Sequence, residues 1–277
     1  MKITTLLENR KSEDVINLKA KHGLSLYIET NGKKILFDTG PDHTFIQNAI
    51  KLGIDLSRVD YLIISHGHYD HGGGLKAFLE INQEADIYLS QYAFEKHSSK
   101  LLSGVYIDIG LNKKLSNHRQ IHYIVDNTEI IDGIQLLCNV IPHKLKPSGN
   151  KKLFKRINGT YVEDDFDHEI YLVIKEKQNN VLFSGCSHKG IINIVNQVES
   201  MLNSPINTVI GGMHLYNPIS KKSECDNQVA EIAGELIKTK VKTYYSCHCT
   251  GEKAYALLQE TLKTRLRELK TGSTMEL

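Results

Sequence analysis

Nowhere in the 277 residues does an apolar run approach the ~20 residues needed to cross a bilayer. The opening stretch, MKITTLLENRKS, has no apolar h-region and no small-residue cleavage site, so a signal peptide is not expected. Charge of one sign is lacking too: 34 Lys and Arg stand against 32 Asp and Glu, a formal net charge of +2. That balance gives no electrostatic case for a nucleic-acid or anionic-membrane partner. Nor is there a disulfide framework. The five cysteines (138, 186, 225, 247 and 249) make an odd, irregular set that suits a reducing compartment, where they are free, buried or metal-bound. A cytoplasmic location is the expectation. No Pro/Ser-rich linker and no low-complexity tract divides the chain, so one domain over 1–270 is expected. The last residues, TGSTMEL (271–277), have no apolar periodicity and read as a disordered tail.

What is present is an ordinary globular composition, 40% hydrophobic and 24% charged, with strong local patterning. LSLYIETNGKKILFDTG reads as two strands joined at Asn31-Gly32, the strongest short hairpin signal. A helical stretch, DHTFIQNAIKLG, leads to the strand VDYLIIS, a second helix opening near Gly72, the strand ADIYLS and a short helix QYAFEKH. Strands QIHYIVD and IIDGIQLLCNVI follow, then a polar loop over about 142–168. That loop carries Lys144, Lys146, Lys151, Lys152, Lys155 and Arg156, either a solvated basic face or an attraction for an anionic small molecule. EIYLVIKEKQNNVLFSGC repeats the hairpin design with a turn expected at Asn179-Asn180. Helices and strands alternate again from there to a final helix from about 251. Two hairpin-rich sheets, each followed by alternating helices and strands, argue for an α/β fold of four αββα layers.

The chemistry concentrates in LIISHGHYDHGGGL, residues 62–75, which holds three of the thirteen histidines within six positions at the end of a predicted strand. His66 and His68 are one residue apart, so in an extended segment both imidazoles project to one side and can grip one cation. Asp70 and His71 fall where the chain turns into a helix and point elsewhere, which suits a second cation. Gly67 and Gly72-Gly73-Gly74 permit close approaches that a Cβ would block. Imidazole suits zinc, iron, copper or nickel, and the carboxylate widens the choice toward manganese and magnesium. Two divalent ions are expected, zinc first, with iron, manganese or magnesium as alternatives. The competing reading, histidines that only cap the helix, does not account for four potential ligands at H-x-H-x-D-H spacing.

SHGHYDHGGGL resembles the metal-binding motif of the metallo-β-lactamase superfamily, and KKILFDTG resembles that superfamily's preceding strand, with Asp38 supporting a ligand. HGLSLYIETNGKKILFDTG, LFSGCSHKGIINI, VIGGMHL and YSCHCTG look like its dihydropterin-related synthase subfamily, over about residues 22–255. The resemblance implies a four-layer αββα sandwich and a two-metal site. It puts Cys186 where the superfamily usually has an aspartate bridging both metals. As a thiolate Cys186 would ligate zinc or iron; as a plain core residue it would be a small hydrophobe. His188, two residues on, is a further metal candidate, and His248 corresponds by order to the superfamily's last metal histidine. Cys247 and Cys249 flank it, but no second cysteine pair completes a tetrahedral structural zinc set. The chain departs from the family in the middle. The superfamily's third histidine should precede EIYLVI, where His143 and His168 are both available and both read as exposed loop residues, so His188 is left as a completing ligand. His214, in GGMHL, is either a group bonding a substrate phosphate or carboxylate or a core histidine bonded to backbone.

The function that follows is a metal-dependent enzyme acting on a small polar, phosphorylated or pterin-like molecule. Catalysis would be metal-activated hydrolysis, with Asp70 orienting or deprotonating the water; the resemblance implies a variant, a transfer in which an aromatic amine displaces pyrophosphate from a pterin methylene carbon. The alternative class is a non-hydrolytic di-iron redox or ligand-sensing protein. Against a flavodiiron-type protein stand the lack of a flavin-binding domain and His68 where that class has glutamate. A nuclease is disfavoured by the near-neutral charge.

Overall fold

The computed structural model describes residues 1–14, 17–101 and 103–277. The chain divides into two compact units, one formed by 1–96, 109–125 and 269–277, the other by 97–108 and 126–268.

The first unit is built on strands β1 (Lys2–Leu7), β2 (Ser25–Thr30), β3 (Lys33–Phe37), β4 (Tyr61–Ile63), β5 (Asp86–Ser90), β8 (Ile121–Ile124) and β20 (Thr274–Glu276), in the order β20-β1-β2-β3-β4-β5-β8. The β2/β3 hairpin turns at Asn31-Gly32 as its sequence predicts, with Thr30 facing Lys33. From β3 onward the pairs are parallel, so β3, β4 and β5 all end at one edge. Helices α1 (Thr44–Lys51) and α3 (Leu75–Ile81) turn Phe45, Ala49, Leu75 and Phe78 onto Leu36, Leu62 and Ile87 of the sheet. Their i, i+3 and i, i+4 spacing gives each helix one apolar stripe. The short α2 (Tyr69–Gly72) follows β4 and carries Asp70 and His71.

The second unit holds the remaining strands: β6 (His97–Lys100), β7 (Tyr106–Asp108), β9 (Thr128–Ile131), β10 (Ile134–Leu137), β11 (Leu153–Ile157), β12 (Thr160–Glu163), β13 (Tyr171–Glu176), β14 (Asn179–Ser184), β15 (Thr208–Gly211), β16 (Tyr216–Asn217), β17 (Lys222–Ser223), β18 (Thr243–Ser246) and β19 (Leu266–Glu268). Its main sheet runs β19-β18-β15-β14-β13-β10-β9, beside a smaller sheet β12-β11-β6-β7 and the β16-β17 pair. Helices α4 (Ile191–Leu202), α5 (Asp226–Leu236) and α6 (Glu252–Leu262) cover the main sheet through Ile194, Val198, Ile232 and Leu258, packed with Leu182, Val209 and Tyr244. α4 stops at Asn203, whose left-handed φ of 48° turns the chain out of the helix. Among the described residues no helix is long and apolar enough to cross a membrane.

Four local expectations are corrected. Glu176 faces Asn179, so the β13/β14 turn is Lys177-Gln178 rather than Asn179-Asn180. The Asn180 amide is committed to Ser204 Oγ and Pro205 O, both at 2.9 Å, and serves the sheet instead. The polar stretch 142–168 is not only loop, because β11 and β12 form a hairpin there around Asn158-Gly159 with φ values of 49° and 87°. QYAFEKH is a turn followed by the first residue of β6, since His97 pairs with Lys155 of β11. The tail is ordered: β20 pairs with β1 from Thr274 to Glu276, and the Thr271 hydroxyl accepts the Glu8 N–H at 2.7 Å and donates to Glu8 O at 3.0 Å. An edge strand offers backbone bonds that require no apolar periodicity from the segment that takes them.

Candidate functional site

In the first unit the histidine segment leaves the carboxyl end of β4, where sites in α/β sheets gather. Its organiser is Asp38, fully buried just beyond β3 with a φ of 62°. Asp38 Oδ1 accepts the Ser65 N–H at 2.7 Å, while Oδ2 accepts the Ser65 hydroxyl at 2.8 Å and lies 2.6 Å from His71 Nδ1. A carboxylate can only accept, so His71 donates from Nδ1 and its Nε2 keeps the lone pair. Ser65 Oγ, its proton given to Asp38, is 2.9 Å from His66 Nδ1 and receives that N–H, which puts the ring's lone pair on Nε2 as in His71. His66 Nε2 and His68 Nδ1 are 3.1 Å apart. That is about the separation of two nitrogens each ~2.0–2.1 Å from one metal. His66 and His71 are fully buried and His68 nearly so.

Asp70 is the least enclosed of the set, and its Oδ2 lies 3.1 Å from His22 Nε2 and 4.0 Å from His71 Nε2. His22 was not singled out from the sequence, because it stands in the loop before β2 outside any metal-ligand spacing. The Gly72-Gly73-Gly74 run works as expected: a Cβ on Gly73 would lie 2.4 Å from the carbonyl oxygens of both Pro41 and Tyr69.

In the second unit the candidates come from the carboxyl ends of neighbouring parallel strands. Ser184, Gly211 and Ser246, the last residues of β14, β15 and β18, are in register, and Cys186 and His188, His214, and His248 follow them. The turn after β14 is held by Glu169, a buried carboxylate that sequence reading missed. It accepts the N–H groups of His188 and Lys189 at 2.7 and 3.0 Å and the Tyr171 hydroxyl at 2.9 Å. Burial raises its pKa in spite of these donors. Asn150 clamps His188 from both ends: its Oδ1 is 3.0 Å from His188 Nδ1, and its Nδ2 donates to His188 O at 2.8 Å. With Nδ1 donating to the amide oxygen, His188 Nε2 holds the lone pair. The ring stacks on Phe166 at 4.4 Å and 6°. His188, Phe166, Asn150 and Lys189 border a cavity of about 840 Å³.

His214 is not a core histidine bonded to backbone, for neither buried ring nitrogen has a hydrogen-bond partner. Its backbone N–H donates to Cys249 Sγ at 3.2 Å. Burial alone would raise the Cys249 thiol, but the facing Cys186 and His214 outweigh it and hold the thiol well below its ordinary value. Cys186 and His248 are buried. His168 is buried as well, contrary to the exposed loop residue expected, while His143 is exposed as expected. His168 Nε2 is 3.3 Å from Asp164 Oδ2, which also lies 2.9 Å from His97 Nδ1. Burial lowers the His168 pKa to about 4. Burial would raise Asp164, but His168 and His97 outweigh it and hold the carboxyl below the usual carboxylate range.

Residues 19–104 match the model of the metallo-β-lactamase superfamily. The 7,8-dihydropterin-6-methyl-4-(β-D-ribofuranosyl)-aminobenzene-5′-phosphate synthase of Methanocaldococcus jannaschii is 32% identical over 93% of this chain and 90% of its own. The crystal structure of Tm1679, a metal-dependent hydrolase of the β-lactamase superfamily, is 30% identical, with a TM-score of 0.82 over 100% of this chain and 99% of that one. The α/β architecture is therefore the metallo-β-lactamase fold, which implies divalent-metal binding. The chain is an enzyme of the metallo-β-lactamase superfamily and belongs with its dihydropterin-related synthases.

Proposed function

We propose that this enzyme acts on a small phosphorylated, pterin-like substrate and releases pyrophosphate from it, with His66, His68, Asp70 and His71 of the first unit and Cys186, His188 and His248 of the second as ligands of divalent metal ions, zinc first. The observation that carries the reading is the Ser65–Asp38 network, which leaves His66 Nε2 and His71 Nε2 as lone-pair donors. A donor set of oriented imidazoles, one carboxylate and one cysteine fits zinc and tolerates iron or manganese. When bound, the metal supplies Lewis acidity toward phosphate oxygens.

The chain's own residues do the rest. Asp70 Oδ2 takes the proton of the attacking group, and His22 Nε2, 3.1 Å away, shares it. In the transfer an aromatic amine nitrogen bonds to the pterin methylene carbon while the carbon–oxygen bond to pyrophosphate breaks. The pair goes to the leaving oxygen, and the amine proton to Asp70. Similarity to the archaeal synthase favours this form. Similarity to a metal-dependent hydrolase favours a second form, in which water replaces the amine.

The test is pyrophosphate release from a dihydropterin-methyl diphosphate by metal-loaded protein, with and without an aminobenzene riboside phosphate. Amine-dependent release with a joined product supports transfer. Amine-independent release supports hydrolysis. No release under either condition rejects the substrate class.

A further inference from the structure

Three strand ends of the second unit deliver more donors to one place than the reading above uses. Ser184, Gly211 and Ser246 are aligned across β14, β15 and β18, so segments two or three residues further on meet at one sheet edge. We infer that Cys186, His214 and Cys249 form one metal-ligating trio, selective for a thiophilic divalent cation such as zinc. The inference rests on the reading of Cys186 as a metal ligand and adds the two partners that would share its cation.

The ligand atoms of the three residues all lie within 4.8 Å of one another, and all three residues are buried. His214 is the independent sign. It is 7% exposed, and neither Nδ1 nor Nε2 meets a hydrogen-bond partner. A buried imidazole left in that state costs stability unless something absent from the protein chain satisfies it. Its φ of 48° is a left-handed conformation that a non-glycine residue holds only where the surroundings impose it. The fold also makes room for the second sulfur: a Cβ on Gly212 would sit 2.4 Å from Cys249 Sγ. That sulfur accepts the His214 N–H at 3.2 Å and lies 3.6 Å from Cys186 O, which places it on the Cys186 turn. Two sulfurs and one imidazole are the donors of zinc sites that keep their fourth position open, whereas magnesium and manganese prefer oxygen.

The test uses the full-length protein loaded with cobalt(II), together with zinc-edge anomalous maps of zinc-loaded wild-type crystals. Cys186→Ser and Cys249→Ser should each remove about half of the sulfur-to-cobalt charge-transfer band. His214→Asn should keep that band and shift the visible ligand-field bands. The wild-type map should show a zinc peak about 2.3 Å from both sulfurs and about 2.0–2.1 Å from a His214 nitrogen. If Cys186→Ser abolishes the band while Cys249→Ser and His214→Asn change nothing, Cys186 ligates without these partners, and the trio alone is rejected. If Cys186→Ser also changes nothing, the reading of Cys186 as a ligand falls with it. Should a variant fail to fold, the wild-type map decides: zinc density that does not touch Cys249 and His214, or inorganic phosphate bonded to His214 in its place, overturns the trio.

Discussion

The two units prepare their histidines by different means. In the first, a buried carboxylate does the steering: Asp38 fixes His71 directly and His66 through Ser65. In the second, a neutral amide does it, with Asn150 holding the His188 ring and Glu169 holding the backbone of the same turn. Either acceptor behind an imidazole fixes its tautomer and orientation, but a carboxylate raises the ring's basicity more than a neutral amide does. The first unit's imidazoles are thus the stronger donors, and the second unit adds softer sulfur donors.

The sharpest way to break that comparison is Asp70→Asn. If the first unit supplies the proton acceptor as well as ligands, turnover at saturating metal should fall by roughly two to four orders of magnitude, the scale of general base catalysis. His71→Gln should instead weaken metal affinity, with excess metal partly restoring the rate. Wild-type kcat in Asp70→Asn at saturating metal would reduce Asp70 to a ligand and remove the catalytic difference between the units.

The second effect in size lies at the other buried carboxylate, Asp164, which faces two imidazoles. Burial holds His168 at about 4, below its ordinary 6.5, so the folded state refuses a proton that the unfolded chain accepts. Stability from this group is complete above about pH 6.5 and is lost as pH falls toward 4, by about 3 kcal/mol if the shift is fully expressed. Denaturant unfolding at pH 7, 5.5 and 4 should show a shallower loss for His168→Gln than for wild type. Parallel curves would mean that His168 is not held neutral by its burial.

How much of this was legible depends on how far apart the partners lie in the chain. The cluster from His66 to His71 is contiguous, so spacing alone announced it, and the preceding strand located it at a sheet edge. Asn31-Gly32 reads as a hairpin because apolar strands flank it. Asn158-Gly159 carries the same turn signal between polar strands, which reads as loop. Glu169 and Asn150 left no trace in pattern, since each acts on His188 only after the chain returns to the same strand end. His168 looked exposed for the same reason: its burial comes from His97, Asp164 and the small sheet, none of which has an apolar period to read.

Asp38→Asn and Asn150→Ala then measure the difference between the steering groups. Asp38→Asn should cost metal affinity toward the upper end of the 10–100-fold range for groups behind metal-binding histidines, and Asn150→Ala toward the lower end. Competition titrations against a zinc chelator would rank them. Equal losses would mean that orientation alone matters and that the carboxylate adds nothing to donor strength.

The smallest effect belongs to the frame of the first unit rather than to its ligands. β20 covers one edge of β1, with Lys2 facing Glu276 and Thr4 facing Thr274. Deleting 274–277 leaves those β1 backbone groups to water, which replaces the lost bonds at a net cost of about 1 kcal/mol for so short an exposed pair. Thr271 remains and keeps both of its bonds to Glu8, so the chain before β2 stays anchored. Because the ligand segment leaves the sheet from β4, three strands away from β1, metal affinity should be unchanged while the melting midpoint drops by a few degrees. Paired melting and chelator titrations of the truncated protein check both halves. A loss of metal affinity comparable to that of Asp38→Asn would show that the sheet edge, and not the buried carboxylate, sets the geometry of the histidines.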